Sequence, residues 1–401
     1  MAFQQFTGRE YLKIDIANNY GLDKEDWDVR IAWFDENQHH LDTLVSKAEE
    51  PALFFAGITA WQDVMNSKPT GYPISLDATA SGIQLLAALT GDRKAALLCN
   101  VLDNGKRMDA YTALYQAMCA RIEDTAKITR DKTKEAIMTA FYSSTAVPKR
   151  VFGEGALLDT FYETMEAEAP GPWEVTKTML AIWDDTTLIN QWIMPDNFHV
   201  KIKVMGNVTD YVSFLNEPFE VNYSVNQPIQ GGRSLGANMN HGLDGMLVRE
   251  MTRRCDFDPV KVDKIIGWME NGRTGTSKSR DEDKIIMRLA ELHKESGFFS
   301  ARVLQYVDPA NMGHLNTDAL SRLVHSLPAK PFKVLSVHDC FRVLPNYGND
   351  LRWQYNILLS MVAQSDLLSF MISQIVKRRI KVDKIDPEMY IDILDTNYAL
   401  S

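Results

Sequence analysis

Two aspartates in this sequence follow apolar runs, an arrangement that presents a carboxylate at the end of a β-strand. Asp77 follows YPISL (residues 72–76), and Asp339 lies in VLSVHDCF (residues 334–341). Two such carboxylates can hold two Mg²⁺ ions, because hard divalent cations prefer oxygen ligands. Between them in the chain lies the cationic segment RDKTK (residues 130–134), which is suited to a polyphosphate. Together these groups offer the chemistry of nucleotide addition.

The cationic segment opens a predicted helix, residues 129–144, with one functional face. Arg130, Lys134, Met138 and Tyr142 follow one another at four-residue steps. Successive members therefore drift only about 40° around a helix and share one face. A guanidinium and an ammonium on that face suit phosphate oxygens. Taken alone, two cations at this spacing more often form a solvated basic stripe.

Asp77 also has a structural interpretation. A helix is predicted to begin near Ser81, and an aspartate just before a helix more often serves as its N-cap. The intervening residues are all small, which lets a metal and a triphosphate approach the backbone closely; they are Ala78, Thr79 and Ala80, followed by Ser81 and Gly82. The residue alone does not decide between the two roles.

The composition is that of an ordinary globular protein: 401 residues, 45% of them hydrophobic and 24% charged. A formal net charge of -10 argues against a generally basic nucleic-acid-coating protein, but a cleft needs only local positive charge. The four cysteines are scattered without a CxxC pair, which gives no support to a zinc site or a disulfide framework. No apolar stretch reaches membrane-spanning length, so we expect a cytoplasmic protein without a membrane partner.

The remaining elements are predicted from periodicity. One amphipathic helix is expected over residues 24–48 with Asp23 as its N-cap, and further helices over 81–99 and 105–122. A single β-hairpin is expected over 198–226, turning at Gly206-Asn207 and carrying the basic side chains of Lys201 and Lys203 on one face. Residues 256–326 are predicted to form an inserted helical module with a basic loop over 272–280.

In this order the three segments resemble motifs A, B and C of the single-subunit RNA polymerases of phages and mitochondria, the T7-like family. D-x-x-x-S-G-I-Q, from Asp77 to Gln84, resembles motif A. R-x-x-x-K-x-x-x-x-x-x-x-Y, from Arg130 to Tyr142, resembles motif B. The pair ending at Asp339 resembles motif C, which the family presents on a buried β-hairpin.

The resemblance implies roles for individual residues. Lys24, in YGLDK, and His241, in NHGLDG, match two further family positions. Asp77 and Asp339 would bind two Mg²⁺ with the Ala78 carbonyl as a third ligand, and Lys24, Arg130 and Lys134 would bind the triphosphate. Tyr142 and His241 would sense the ribose 2′-OH, since a site built around a hydroxyl rejects the deoxy analogue. Asp244 is a possible structural partner there, and Ser143 replaces the Gly that the family usually has.

The resemblance also implies the fold: α+β and helix-rich, a right-hand polymerase palm and fingers lacking the thumb and the N-terminal promoter domain. We divide the chain into five parts accordingly. They are N-terminal helices and palm with motif A (1–100), fingers with motif B (101–190), the hairpin and ribose-sensing segment (191–255), the helical insertion (256–326), and the palm with motif C and the C-terminal segment (327–401).

No D/T-x-x-G-R motif precedes motif A; the nearest string is QFTGR (residues 5–9). We therefore expect a second, smaller polypeptide to supply the thumb and that motif. This arrangement resembles the two-chain RNA polymerase II of N4-like bacteriophages, with this chain as the larger, catalytic subunit. The contact surface is expected to include the segment before Lys24. The expected partners are a DNA template, nascent RNA and rNTPs in the cytoplasm of a bacterial host.

Two other functions are considered. A DNA polymerase of the same superfamily would carry an acidic residue where Gln84 stands and a Glu where Cys340 stands. A non-catalytic scaffold subunit would retain the two aspartates for structure only. The hairpin near 198–226 has two interpretations as well, as the family's promoter-reading loop or as a structural hairpin of the palm.

Overall fold

A computed structural model describes residues 2–401 as a helix-rich α+β fold with small antiparallel sheets. The first part of the chain is helical apart from one strand: α1 Gly8–Ala17, α2 Trp27–Asn37, α3 Pro51–Met65, β1 Ile74–Asp77, α4 Ser81–Thr90, α5 Arg93–Leu98, α6 Ala110–Cys119, α7 Arg130–Ala140 and α8 Ala146–Phe152. The middle part carries four strands: α9 Ala156–Glu168, α10 Pro170–Ala181, β2 Ile189–Ile193, β3 His199–Lys203, β4 Met205–Phe214, β5 Glu217–Asn226 and α11 Ser234–Cys255. The last part contains α12 Pro259–Glu270, α13 Asp281–Ser296, α14 Val303–Tyr306, α15 Thr317–His325, β6 Leu335–Val337, β7 Cys340–Val343, α16 Gly348–Gln364, α17 Leu367–Ile375 and α18 Tyr390–Ile393.

A three-stranded sheet in the order β1-β7-β6 lies at the centre of the larger core. Ile74 and Leu76 alternate with Ser75 and Asp77 along β1, so the two apolar side chains enter the core and Asp77 points away from it. The C-terminal residues lie along the other side of β1, where the Ser401 amide donates to the Asp77 carbonyl (2.9 Å). The sheet thus holds Asp77 between two neighbouring segments.

Helix α4 follows directly and is buried on every side. Gln84 on this helix is fully buried and connects three parts of the chain. Its Nε2 donates to the carbonyls of Cys99 (2.9 Å) and Ala399 (3.0 Å), and its Oε1 accepts from the Tyr355 hydroxyl (2.9 Å). These bonds need an amide, because a carboxylate at this position has no proton to donate to the two carbonyls.

The helix predicted over residues 24–48 is interrupted. Helix α2 begins at Trp27 with Asp26, rather than Asp23, in the N-cap position, and a short 3₁₀ helix covers Leu41–Lys47. His40 between them is non-helical. The tripeptide at residues 38–40 carries no apolar side chain that would hold another helical turn against the core. The helices predicted over 81–99 and 105–122 are likewise shorter than expected, because Gly91 adopts a left-handed conformation and α6 begins only after Asp109.

The single hairpin predicted over residues 198–226 is wrong. Strand β3 pairs antiparallel with the preceding strand, β2, with Gln191 opposite Lys201. Strand β4 pairs with β5 through ten residue pairs. The turn of the β4–β5 hairpin is Leu215-Asn216, both with positive φ (53° and 68°), as a two-residue hairpin turn requires. The two lysines therefore lie on the β2–β3 ribbon, and residues 205–226 contain no lysine or arginine.

Residues 256–326 are mostly helical and have their own hydrophobic cluster. Side chains of α12–α15 pack around Ile265, Ile286, Val307 and Leu320, separately from the larger core. Within residues 2–401 no single helix is long and apolar enough to cross a membrane; Pro345–Gln364 and Leu367–Ile375 meet that criterion only as a pair bent by 61°.

The N-terminal segment packs within the chain itself. The ring of Phe3 lies edge-on to Trp353 of α16, and the amide of Gln4 donates to the Asn397 side chain (2.7 Å). Phe6 lies against Tyr11 and Trp27. This segment therefore already contributes to the core beneath the C-terminal residues.

Candidate active site

A cavity of about 1270 Å³ gathers the residues that the sequence singled out. Strand β1, the β6–β7 turn, α7 and α11 border it, although these elements are far apart in the chain. All eight predicted site residues line this cavity, the catalytic cleft: Lys24, Asp77, Ala78, Arg130, Lys134, Tyr142, His241 and Asp339.

Strand register brings Asp77 and Asp339 together. Asp77 pairs with Cys340 across the β1–β7 ladder, so Asp339 is its diagonal neighbour. The Ala78 amide donates to the Asp339 carbonyl (3.2 Å), which fixes the two chain segments against each other. Asp339 and His338 form the two-residue turn between β6 and β7, and His338 has a positive φ of 56°. The turn exposes the Asp339 side chain to the cleft.

The buried hairpin implied for motif C is corrected by the structure. Strand β6 is exposed along its whole length, with Leu335 and Val337 each 59% accessible. The reason is its position: β6 is the edge strand of the sheet, and within residues 2–401 no other strand pairs with its free side. Only β7, with Phe341 and Val343, enters the core.

The carboxylates of the catalytic cleft carry uncompensated negative charge. Asp77, Asp244 and Asp339 form no ion pair with any other residue among residues 2–401. Burial, together with the charge of Asp339, raises the pKa of Asp77 to about 6, against the opposing effect of the Ala78 amide. The same two causes raise the pKa of Asp244 to about 7. A divalent cation would relieve this repulsion.

The donor set fits magnesium. Asp77 and Asp339 provide carboxylate oxygens and Ala78 a carbonyl, which are the hard ligands that Mg²⁺ prefers. The described residues contain no cluster of three or more His, Cys, Asp or Glu side chains arranged around one point. A site of this kind relies on substrate phosphates and water for its remaining ligands, as is usual for Mg²⁺.

The two cations of α7 that line the catalytic cleft have different surroundings. The Arg130 guanidinium is held by α6, where Nε donates to Thr112 (2.7 Å) and Nη2 pairs with Asp109. The Lys134 ammonium lies 5.3 Å from the centre of the Tyr111 ring and has no carboxylate partner among residues 2–401. Lys134 is therefore the cation of α7 that is free to meet an anionic ligand, and Arg130 is preorganised by its partners.

Tyr142 lies immediately after α7, next to the start of α4. A Cβ placed on Gly82 would come within 2.8 Å of the Tyr142 hydroxyl, so only glycine fits there. Ser81 hydrogen-bonds to the side chains of both Tyr142 and Asp244. Burial and the charges of Asp244 and Asp339 raise the pKa of Tyr142 to about 12, so its phenol keeps its proton and can donate a hydrogen bond.

His241 on α11 faces Tyr142 across the cleft. The ring centroids are 5.5 Å apart, with 35° between the planes. Both rings line the cavity together with Ser81 and Asp244. The arrangement offers several polar groups to one small hydroxyl-bearing ligand.

Ser143 adopts a backbone conformation that favours glycine. Its φ is 66°, in the left-handed region, and its buried hydroxyl has no hydrogen-bond partner among the described residues. A Cβ on Gly236 would lie 2.0 Å from the Ser143 Oγ. The serine is thus accommodated only because α11 carries glycine opposite it.

Sequence analysis missed Arg107 and Asp109 and assigned Asp244 no more than a structural role. Arg107 is half-buried in the lining of the cleft, and its Nε donates to the Ser401 hydroxyl (2.9 Å). Asp109 caps α6 and pairs with Arg130. A capping signal was visible at Asp109, but its partner, 21 residues later in the chain, was not. Lys24 lies at the cleft entrance, half exposed, with its ammonium 3.9 Å from Asp23.

Comparison with known proteins points to one family. Residues 5–193 match the family model described as DNA-dependent RNA polymerase. The mitochondrial DNA-directed RNA polymerase of Neurospora crassa is 30% identical over 171 residues, 36% of this chain and 12% of that protein. The DNA-directed RNA polymerase of Pseudomonas phage phiKMV is 22% identical over 353 residues, 71% of this chain and 42% of that protein.

A probable DNA-directed RNA polymerase of Gelasinospora sp. is 24% identical over 369 residues, 83% of this chain and 39% of that protein. The chain thus spans less than half the length of each of these relatives. Residues 5–193 are similar to the RNA polymerase family, and the relatives that the chain matches include phage and mitochondrial enzymes of that name. The resemblance of the chain to phage and mitochondrial RNA polymerases is confirmed at this level, and the assignment of the individual motifs stays a prediction.

Proposed function

We propose that this chain is the catalytic part of a DNA-directed RNA polymerase, which adds ribonucleotides to an RNA 3′-OH. The observation that carries the proposal is the catalytic cleft itself, where two unpaired carboxylates, a free lysine and a Tyr–His pair face one another. A structural role for Asp77 and Asp339 is hard to reconcile with this arrangement, because like charges without partners destabilise a fold. This disfavours the non-catalytic scaffold.

The geometry of the cleft supports the following division of roles. Asp77, Asp339 and the Ala78 carbonyl would hold two Mg²⁺, which supply activation of the 3′-OH and stabilisation of the pyrophosphate leaving group. Lys134 neutralises phosphate charge directly, while Arg130 does so from a fixed position on Asp109. Lys24 reaches the triphosphate from the cleft entrance.

Sugar selection is assigned to Tyr142 and His241. The neutral phenol donates to, and the imidazole contacts, the ribose 2′-OH, and Ser81 holds the Tyr142 hydroxyl in place. A deoxyribonucleotide leaves these groups unpaired in a partly buried site, which is a strong basis for rejection.

A DNA polymerase is disfavoured by the surroundings of Gln84. An acidic residue at this position would face the Cys99 and Ala399 carbonyls without a donor. Substitution of the amide by a carboxylate would bury acceptor against acceptor, which costs free energy. The hydrogen-bond partners around position 84 therefore favour glutamine over an acidic residue.

The finer assignment rests on the resemblance alone. We propose a palm-and-fingers body, with the thumb and the D/T-x-x-G-R motif on a second, smaller polypeptide, and a role in phage transcription in the bacterial cytoplasm. For the β4–β5 hairpin, a promoter-reading role has to operate without lysine or arginine, since residues 205–226 contain neither. Run-off assays of the chain alone and with a candidate partner test the two-chain arrangement, which long products from the isolated chain would contradict.

The test of the catalytic assignment is primer extension with rNTPs and Mg²⁺. Asp77→Asn and Asp339→Asn should each abolish extension by the complete polymerase, because amides bind Mg²⁺ much more weakly than carboxylates. Asp263→Asn, an exposed carboxylate on α12, is the matched control and should extend normally.

Thermal melting separates lost chemistry from lost folding. Without Mg²⁺ the two cleft variants should melt at or above the temperature of the parent, since each removes one of two repelling charges. Added Mg²⁺ should raise the melting temperature of the parent but not of the variants. Near-normal extension by either variant would rule out the assignment of these carboxylates.

A further inference from the structure

A second cavity, of about 900 Å³, lies between the β2–β3 ribbon and the segment that follows α17. We call it the ribbon groove. One wall is formed by the ribbon, including Lys201 and His199, and the other by Gln374, Lys377 and Arg378. The Gln374 side chain joins the walls, because it accepts from the Ile193 amide (2.9 Å) and donates to the Ile193 carbonyl (3.1 Å). These two hydrogen bonds therefore hold the walls of the groove together.

The groove concentrates positive charge in an acidic protein. Lys201, Lys377 and Arg378 are exposed, and none of them forms an ion pair within residues 2–401. Lys203 follows Lys201 on the same face of the ribbon, since alternate residues of a strand share a face. The acidic residue in the lining is Asp184, whose carboxylate accepts from the Thr186 amide (2.9 Å) and hydroxyl (2.6 Å). Unpaired cations that line one cavity repel one another unless an anion lies between them.

Two hydrogen-bond donors in the lining also lack partners. The Nδ2 of Asn190 and the Nε1 of Trp192 are buried without an acceptor among the described residues. Trp192 is only 2% exposed. Buried donors are normally satisfied, so these two leave the inner face of the ribbon, opposite the face of Lys201, with unmet hydrogen-bonding capacity.

The ribbon groove and the catalytic cleft share a helix. A Cβ on Gly242 of α11 would lie 3.7 Å from Trp192 and equally close to Val200 of the ribbon. His241, the preceding residue, lines the catalytic cleft. Neighbouring residues of α11 therefore contact the catalytic cleft and the ribbon that borders the groove.

We propose that the ribbon groove binds the phosphodiester backbone of a single-stranded nucleic acid outside the catalytic cleft. The ligand is a polyanion rather than one phosphate, because the cations line two opposite walls instead of converging on a point. The inference rests on the proposed function for its biological meaning, since an RNA polymerase handles separated strands. The binding itself is measurable without catalysis.

The experiment measures the anisotropy of fluorescein-labelled 20-nucleotide single-stranded DNA and RNA from 50 to 200 mM salt. Lys201→Ala/Lys377→Ala removes one cation from each wall. The slope of log K against log salt should become shallower by about 1.4, which is about 0.7 for each lost single-strand contact. Lys264→Ala/Lys278→Ala, two exposed and unpaired lysines away from the groove, is the matched control and should keep the slope of the parent.

Several outcomes of this experiment would contradict the proposed binding of a single strand in the ribbon groove. Equal slopes for the groove variant and the parent, or no binding by the parent at 50 mM salt, overturn the proposal. ATP that displaces the oligonucleotide from the groove at equal phosphate concentration would show a mononucleotide site instead. If Lys201→Ala/Lys377→Ala reduces the salt slope for duplex DNA as much as for the single strands, the assignment to single strands is refuted.

A photo-crosslinker placed at Gln191, on the exposed face of the ribbon, gives an independent readout. It should form an adduct with the labelled single strand, and this adduct should be lost in the groove variant but not in the control. Asp77→Asn should keep both the adduct and the salt slope while it loses extension. A negative result for binding in the ribbon groove therefore leaves the catalytic assignment intact. A negative result for the catalytic assignment likewise leaves the groove proposal intact.

Discussion

The ring of Tyr142, which follows α7, lies 5.5 Å from the ring of His241 on α11, and the Tyr142 hydroxyl sits over Gly82 at the start of α4. Three elements therefore meet at one phenol. The hydroxyl is held by Ser81, which also contacts Asp244. A polar group fixed from several sides discriminates between ligands better than a mobile one. When a ligand lacks the matching hydroxyl, the fixed group cannot turn to another partner and is left without a hydrogen bond.

Tyr142→Phe should therefore relax sugar selection. The variant keeps the ring and its packing but loses the donor, so the ratio of rNTP to dNTP incorporation should fall by about tenfold or more, as expected for one hydrogen bond in a partly buried site. The measurement is competitive incorporation in primer extension. Tyr162→Phe, outside the cleft, is the control, and an unchanged ratio for Tyr142→Phe would place discrimination elsewhere, with His241→Ala as the next variant.

Lys134→Ala should raise the KM for all four NTPs and lower kcat. Lys134 has no carboxylate partner, so its charge is available to the triphosphate. Loss of this contact should lower kcat/KM by about tenfold or more. Lys132→Ala, on the exposed face of the same helix, is the control. Equal extension by Lys134→Ala and the parent at limiting NTP would exclude the role.

Ser143→Gly should stabilise the protein by about 1 kcal/mol. The substitution relieves a left-handed serine and removes a buried hydroxyl without a partner, and these gains exceed the entropy cost of glycine. Chemical denaturation gives the free energy of unfolding.

A double-mutant cycle identifies the cause. Gly236→Ala alone should be strongly destabilising, because its Cβ would meet the Ser143 Oγ at 2.0 Å. In the Ser143→Gly background the same alanine should cost much less. Additive effects of the two substitutions would show that this contact does not govern stability.

Asp15 should make stability depend on pH. This carboxylate is buried and accepts from the Tyr72 hydroxyl and the Ser75 amide, and burial raises its pKa to about 6. The folded state thus binds the Asp15 proton more tightly than the unfolded chain. Its contribution is fully present below pH 4 and is lost as the pH rises through 6, by about 3 kcal/mol for about two pKa units.

Urea denaturation of the parent and of Asp15→Asn between pH 4 and 7 isolates this contribution. The free energy of unfolding of the parent should fall relative to that of the variant as the pH rises. Asp263→Asn, which removes an exposed carboxylate, should follow the parent. A constant difference between the parent and Asp15→Asn across this range would contradict the prediction.

The sequence by itself determined the local features of the site. Four-residue steps put Arg130 and Lys134 on one face of α7, although this helix ends at Ala140, before Tyr142. An apolar run ending in a carboxylate marked Asp77 as the end of a strand. Such patterns can be recognised in a sequence because helices and strands have fixed periods. The order of the three motifs also pointed to a family that the comparisons support.

Only the tertiary structure decided which segments meet. The partner of Arg130, the bridge through Ser81, the glycine opposite Ser143 and the exposure of β6 all depend on contacts between distant residues. The ribbon shows the same limit: Lys201 and Lys203 alternate as in any strand, but pairing with β2 rather than β5 placed Lys201 in a groove. Strand periodicity is local, whereas the choice of partner strand depends on which side chains the whole fold can bury.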